Sequence, residues 1–209
     1  MKSILAFGDS NTWGLIPGSN PQRRYPYDVR WTGVLQNKRN DLKVIEEGLC
    51  GRTTVFEDRT RKGRKGVDAL PAILKNRKPV DIAIIMLGTN DCKTEYAANP
   101  EIIGQGMEKC LDKMEEYLNK DRILLISPIA LGNDVWRPEK DPEFDVRSVE
   151  TSRELKAVYE KIARKRGIHY LAASDHVIAD PKDDEHFSME GHRAFADAVF
   201  EKINEMNLL

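Results

Sequence analysis

Three separated stretches of this sequence place a hydroxyl, a neutral amide and an imidazole where each could act on a carbonyl group. The first is Phe7-Gly8-Asp9-Ser10-Asn11-Thr12-Trp13-Gly14. Gly8 permits a tight turn after an apolar run, and Ser10 then offers both an Oγ and a backbone N–H. The second, Leu87-Gly88-Thr89-Asn90-Asp91, supplies an amide that can donate to a developing oxyanion without titrating. The third is Asp183-Asp184-Glu185-His186-Phe187-Ser188. A carboxylate three residues ahead of a histidine can reach back to the ring, fixing Nδ1–H and leaving Nε2 free to take a proton. Nucleophile, oxyanion donor and base are the parts of acyl transfer through a covalent serine intermediate. Singly, each stretch has a plainer explanation: Asp9 or Ser10 as a helix cap, Asn90-Asp91 as an Asx turn, His186 as an exposed loop residue. Their coincidence at three points of one chain favours the catalytic reading.

Other residues compete for these roles. Spacing favours Asp183 as the partner of the histidine, with Asp184 left open. Negative charge beside the ring favours the imidazolium and raises its pKa, so a rate depending on His186 should fall on acidification and not stay flat across about pH 5 to 8. Of the other histidines, His169 carries no activating signal, His176 has only Asp175 beside it, and His192 begins a helical pattern as a packed or capping residue. A metal set of His176, Asp180, His186 and His192 matches no zinc spacing, so no metal and no cofactor is expected. Cys50 and Cys92 read as small buried hydrophobes. Trp13, three residues beyond Ser10, is expected to bind substrate, and Trp31 to pack in the core. The basic run Arg59, Arg61, Lys62, Arg64 and Lys65 reads as a solvated face, although it could touch an anionic substrate or a neighbouring subunit.

For the three stretches to meet, the chain must build a sheet whose strands all end at one edge. Apolar runs of strand length alternate with longer segments of helical period, the pattern of a parallel sheet covered on both faces. The predicted strands are 3–7, 42–47, 81–87, 122–127 and 169–172. The third is almost wholly apolar, as a central strand buried on both faces must be. Ile103, Met107, Cys110, Leu111, Met114 and Leu118 form a helical stripe. Leu155, Val158 and Ile162 repeat it, as do Phe195, Val199 and Ile203. Two aperiodic segments, 14–27 and 131–146, follow strand ends, where ligands of open α/β sheets bind, and are the candidate pocket walls. A three-layer α/β/α sandwich of flavodoxin-like character with about five parallel strands accounts for residues 1–209 as a single domain.

Composition narrows the partners. Thirty-three basic and 34 acidic residues leave a net charge of -1, so the basic footprint of a general nucleic-acid binder is missing. No apolar run approaches the roughly 18 residues needed to cross a bilayer. The opening stretch, Met1 to Asp9, lacks an A-x-A-like cleavage site and reads as a buried strand and not a leader. Three cysteines, at 50, 92 and 110, suit a reducing cytoplasm.

On these motifs the chain resembles the SGNH hydrolases, also called GDSL esterases. The first block is Gly8-Asp9-Ser10, the third Gly88-Thr89-Asn90-Asp91 and the fifth Asp183-x-x-His186, while the second block matches Gly51 within Gly48-Leu49-Cys50-Gly51-Arg52-Thr53-Thr54. Asp9-Ser10-x-Thr12-Trp13-Gly14, Asp28-Val29-Arg30-Trp31-Thr32-Gly33 and Leu87-Gly88-Thr89-Asn90-Asp91-x-Lys93 are similar to the bacterial arylesterase and acyltransferase branch. The resemblance implies Ser10 as nucleophile, His186 as base and then acid, Asp183 as its orienting acid, and an oxyanion hole from the N–H groups of Ser10 and Gly51 and the amide of Asn90. It implies a small-molecule ester as substrate, short acyl groups first, with alcohol or hydrogen peroxide able to replace water. It also implies a homo-oligomer. The alternatives are a carbohydrate acetyl esterase of the same superfamily and a non-catalytic flavodoxin-like binding module for a phosphate-bearing ligand.

Overall fold

A computed structural model describes residues 1–208; Leu209, the last residue of the expected domain, lies outside them. Five strands, β1 (Lys2–Gly8), β2 (Leu42–Gly48), β3 (Ile82–Met86), β4 (Ile123–Ser127) and β5 (His169–Ala172), form one sheet in the order β2-β1-β3-β4-β5. Every neighbouring pair is parallel. Six helices accompany them: α1 (Ser10–Trp13), α2 (Trp31–Gln36), α3 (Gly66–Asn76), α4 (Pro100–Glu115), α5 (Val146–Arg166) and α6 (Met189–Glu205).

The period of two along the strands divides the core into two layers. Leu5, Phe7, Ala83, Ile85, Ile123 and Leu125 face α3, α4 and α5, meeting Leu70, Met107 and Leu155. Ile4, Ala6, Ile82, Ile84, Leu124 and Ile126 face α2 and α6, meeting Trp31, Phe195 and Val199. The sheet is therefore the middle of three layers, as the alternation of apolar runs and helical stripes predicts. Both the 103–114 stripe and the Phe195-Val199-Ile203 stripe are buried on their apolar faces. Leu118 falls beyond the end of α4 but still packs against the core. Strand β3 is one residue shorter at each end than the predicted 81–87, because its flanks find other partners. Asp81 accepts the Ser3 N–H through its side chain (2.9 Å), and the Leu87 carbonyl accepts the Tyr159 hydroxyl (3.1 Å).

The order of the strands decides where a site can form. Strand β1 has β2 on one side and β3 on the other, so consecutive crossovers leave β1 in opposite directions and open a crevice at their C-terminal edge. Gly8 pairs in register with both Gly48 and Met86. The loops that follow these three strands thus begin level with one another. Replacing Ile85, fully buried at the centre of β3, with alanine should lower the unfolding free energy by about 2–5 kcal/mol in a denaturant titration; a loss below about 1 kcal/mol would show that β3 is not the centre of the core.

Candidate active site

Ser10 is the first residue of α1. Asp9 caps this short helix, its Oδ1 accepting the Asn11 N–H at 3.0 Å. The turn is possible because Gly8 has no Cβ: one placed there would collide with the Thr12 side chain and come within 3.0 Å of the Met86 carbonyl oxygen. Ser10 is almost fully buried, as are Asp183 and His186.

His186 reaches Ser10 from the far side of the sheet. The chain leaves β5 at the sheet edge and returns through residues 173–188 before Ser188 caps α6, accepting the Gly191 N–H at 3.0 Å. Asn11 fastens this return. Its Oδ1 accepts the Phe187 N–H (2.9 Å) and its Nδ2 donates to the Glu185 carbonyl (3.3 Å). The two neighbours of His186 are thereby tied to the residue that follows Ser10. His186 Nε2 lies 2.9 Å from Ser10 Oγ, and Nδ1 lies 2.8 Å from Asp183 Oδ2. A carboxylate only accepts, so Nδ1 carries the proton in this pair, and in the neutral ring the Nε2 lone pair faces the hydroxyl.

Asp183 also accepts backbone N–H groups from Gly18 (2.9 Å), Glu185 (3.1 Å) and His186 (3.0 Å). Burial raises its pKa, but the His186 ring and these donors outweigh burial and hold it down at about 2. Asp184 is occupied elsewhere. In a left-handed conformation (φ 58°), it accepts the Asp134 N–H (3.2 Å) and Lys140 Nζ (2.5 Å) through its carboxylate, and the Gly132 N–H (2.7 Å) through its carbonyl. Of the two acids left open by sequence, Asp183 holds the ring and Asp184 fastens the 131–146 loop.

Free N–H donors are carried by the loops after the first three strands. Gly51 takes a left-handed turn (φ 78°) after β2, and among the described residues neither its N–H nor that of Ser10 has a protein acceptor. Asn90, in the turn after β3, donates one Nδ2 hydrogen to the Arg52 carbonyl (3.2 Å) and keeps the other free. Arg52 joins the first two loops: buried, it donates from Nη1 to the carbonyls of Gly8 (2.8 Å) and Glu47, and its guanidinium lies over the Phe7 ring. Asp91 joins the second and third loops by accepting the Thr54 N–H (2.9 Å) and hydroxyl.

Buried carboxylates surround the histidine. Desolvation raises Asp9 to about 6, Asp91 to about 7 and Glu185 to about 7. At His186, burial disfavours the charged ring, but the Glu185 carboxylate, lying 3.7 Å from Nε2, and the hydrogen bond and charge of Asp183 outweigh it, lifting the pKa to about 9.

The competing residues lie outside this arrangement. His192 is buried, with Nδ1 accepting the Trp31 N–H (3.3 Å) and its ring set edge-on to Tyr25 and Phe187. His176 is exposed and His169 half-buried. Among the described residues no three His, Cys, Asp or Glu side chains are grouped to hold a metal ion. Burial pushes the Cys50 thiol up to about 11 and Cys92 well above its usual value, which opposes thiolate chemistry at either. Trp31 packs in the core against Phe195. Trp13 is placed beside Arg24. Its half-buried ring lies under the Arg24 guanidinium, and the cavity of about 340 Å³ beside His186 is lined by Leu15 and not by Trp13. Of the basic run, Arg61 is paired with Asp58 (2.6 Å) and Lys65 with Asp68 (3.0 Å), whereas Arg59 and Lys62 are exposed. The two aperiodic segments do form walls, contributing Ser19, Asn20 and Gln22 from one and Glu139, Lys140 and Asp141 from the other. Sequence reasoning gave no role to Asn11 or Arg52, because their partners lie far along the chain, and treated Glu185 only as added charge.

At the C-terminal edge of the parallel sheet of this three-layer fold, Ser10, His186 and Asp183 thus stand in hydrogen-bonded series. Residues 6–194 match the GDSL-like lipase/acylhydrolase family, and the chain belongs to that family, a family of carboxylic ester hydrolases. The isoamyl acetate-hydrolyzing esterase of Saccharomyces cerevisiae is 22% identical over 222 residues, covering 97% of this chain and 86% of the yeast protein. The aryl esterase of M. smegmatis superposes with a TM-score of 0.90 at 33% identity, covering 99% of this chain and 100% of the other. Est24, a carbohydrate acetylesterase from Sinorhizobium meliloti, gives 0.89 at 33% identity, covering 98% and 99%.

The charge around His186 fixes the sign of the pH dependence. The base form is the deprotonated ring, so a pKa raised above 6.5 moves the acid limb of kcat/KM to higher pH. Hydrolysis of an aryl acetate should rise with pH through a midpoint above 6.5 and toward about 9. A midpoint below 6.5, or a flat profile, would contradict this electrostatic description.

Proposed function

We propose that this protein hydrolyses esters of short-chain acids, acetate first, through an acyl-serine intermediate on Ser10. The reading is carried by the unbroken series from Ser10 Oγ through the His186 ring to Asp183, with links of 2.9 and 2.8 Å. Ser10 Oγ attacks the carbonyl carbon as Nε2 of His186 takes its proton. The negative oxygen so formed is met by the N–H groups of Ser10 and Gly51 and the free N–H of Asn90. Collapse breaks the bond to the leaving alcohol, which departs with the proton from Nε2. Water then attacks the acyl-serine, again giving a proton to His186, and the acid leaves as Ser10 recovers its hydrogen. Asp183 keeps the ring in the required tautomer throughout and stabilises its charged form.

Acetate is favoured because the yeast relative is named for an acetate ester and the Sinorhizobium structure for acetyl groups. An alcohol or hydrogen peroxide in place of water would give acyl transfer or a peracid. A binding module for a phosphate-bearing ligand gains little support from the basic run, since Arg61 and Lys65 are already paired with acids.

A fluorophosphonate probe should label the protein, with peptide mapping placing the adduct on Ser10, and Ser10→Ala should not be labelled. An adduct mapped elsewhere would remove Ser10 from the reaction. Asn90→Ala should lower kcat for p-nitrophenyl acetate by about 10²–10³-fold while the circular dichroism spectrum is kept; a wild-type rate would take Asn90 out of the oxyanion site.

A further inference from the structure

The segment that carries His186 is closed on itself. The N–H groups of Asp183 (3.2 Å) and Asp184 (2.8 Å) both donate to the Asp180 carbonyl, and the Asp180 N–H donates to the His186 carbonyl (2.8 Å). Asp183 Oδ1 takes the Glu185 and His186 N–H groups, and Oδ2 takes the ring. These contacts fix the ring against Asp183, but they do not fix it against Ser10, which belongs to α1. That distance depends on what holds the turn from outside. Gly18 donates to Asp183 Oδ2 (2.9 Å), and the 131–146 loop binds Asp184 through Asp134 and Lys140. Both holds come from the aperiodic segments and not from the helix that carries the hydroxyl.

Asn11 does come from that helix. It follows Ser10 directly, is buried, and its planar amide spans the histidine: Oδ1 accepts the Phe187 N–H (2.9 Å) and Nδ2 donates to the Glu185 carbonyl (3.3 Å). One bond on each side of His186 fixes both how far the turn stands from α1 and how it is rotated. The Asn11 backbone N–H is engaged separately, donating to Asp9 Oδ1 (3.0 Å), so the cap of α1 survives a change of side chain. Such a change would leave the Phe187 N–H and the Glu185 carbonyl buried without these partners, and the turn would move to find others. A displacement of about 1 Å between reacting groups can cost about 10²-fold in rate.

On the reading that Ser10 and His186 perform acyl transfer, we propose that Asn11 is a positioning residue, which holds the His186 ring within hydrogen-bond distance of the Ser10 hydroxyl. In the full-length protein, Asn11→Ala should lower kcat for p-nitrophenyl acetate by about 10²-fold. KM should change by less than about threefold, because the groups that bind the ester are not altered. Proton NMR reports whether the turn itself survives, since the Nδ1–H held by Asp183 gives a far-downfield resonance. That resonance should persist in Asn11→Ala and be absent from Asp183→Ala. Asn11→Ser, which keeps a hydroxyl able to serve one of the two backbone groups, should lose less, and it carries the same comparison if the alanine variant does not fold. A kcat within about threefold of wild type in Asn11→Ala would overturn the proposal. So would a fall in kcat accompanied by loss of the Nδ1 resonance or by a matching rise in KM, since Asn11 would then support the loop as a whole and not the spacing of ring and hydroxyl. Either result leaves the esterase reading in place. Absence of hydrolysis and of fluorophosphonate labelling in the wild type would instead bring down the reading beneath it.

Discussion

The imidazole of His186 can meet the Ser10 hydroxyl only if a long return loop is carried from the edge of the sheet back to β1 and held there. Hydrogen bonds from Asn11 to either side of the histidine and the four donors gathered by Asp183 do the holding. The cost of burying Asp183 as an anion is offset because every approach to it is a donor. Gly18 is one of these donors, so the loop after α1 is drawn into the same node. Fastening of the His186 ring, shaping of one cavity wall and ionisation of Asp183 are thus one set of contacts seen from three sides.

The loops that carry Gly51 and Asn90 are joined by a different kind of link. Arg52 is a buried cation whose hydrogen bonds go to backbone carbonyls at the ends of β1 and β2, with Phe7 beneath its plane. Asp91 meets a backbone N–H and a hydroxyl of Thr54. Both residues belong to the loops that carry Gly51 and Asn90, and neither need touch a substrate. Their contacts fix the spacing of three loops that begin level because Gly8, Gly48 and Met86 share a register. Groups carried on loops of adjacent parallel strands inherit their rigidity from the sheet.

Desolvation unifies the electrostatics. Asp9, Asp91 and Glu185 are pushed upward by burial, whereas Asp183 is pulled down by its donors. Asp91 stays high although Thr54 donates to it twice, whereas Asp183 is held low by the hydrogen bond and charge of His186 together with its backbone donors, so the adjacent cationic ring separates the two behaviours. Negative charge that remains close to His186 favours its protonated form.

Local patterns carried much of the architecture. The apolar run that becomes β3 and the three- and four-residue spacings that become α4, α5 and α6 are legible because burial follows the period of each element. The shorter helices α2 and α3 were less visible, one being a six-residue segment and the other containing Pro71. Residue types marked Ser10, Asn90 and His186 as chemically suited to one reaction, Gly51 was reached only through the family resemblance, and the spacing of Asp183 from His186 fits a single turn. Sequence alone could not choose between Asp183 and Asp184, since both stand within reach; the left-handed turn at Asp184 and its partners across the 131–146 loop made that choice. Nor could it show that Trp13 lies under Arg24 and that Leu15 faces the cavity. Periodicity is a property of neighbouring residues and can be read along the chain, whereas hydrogen-bond partners 38 to 176 positions away, and the loss of water around a charge, exist only once the chain has closed on itself.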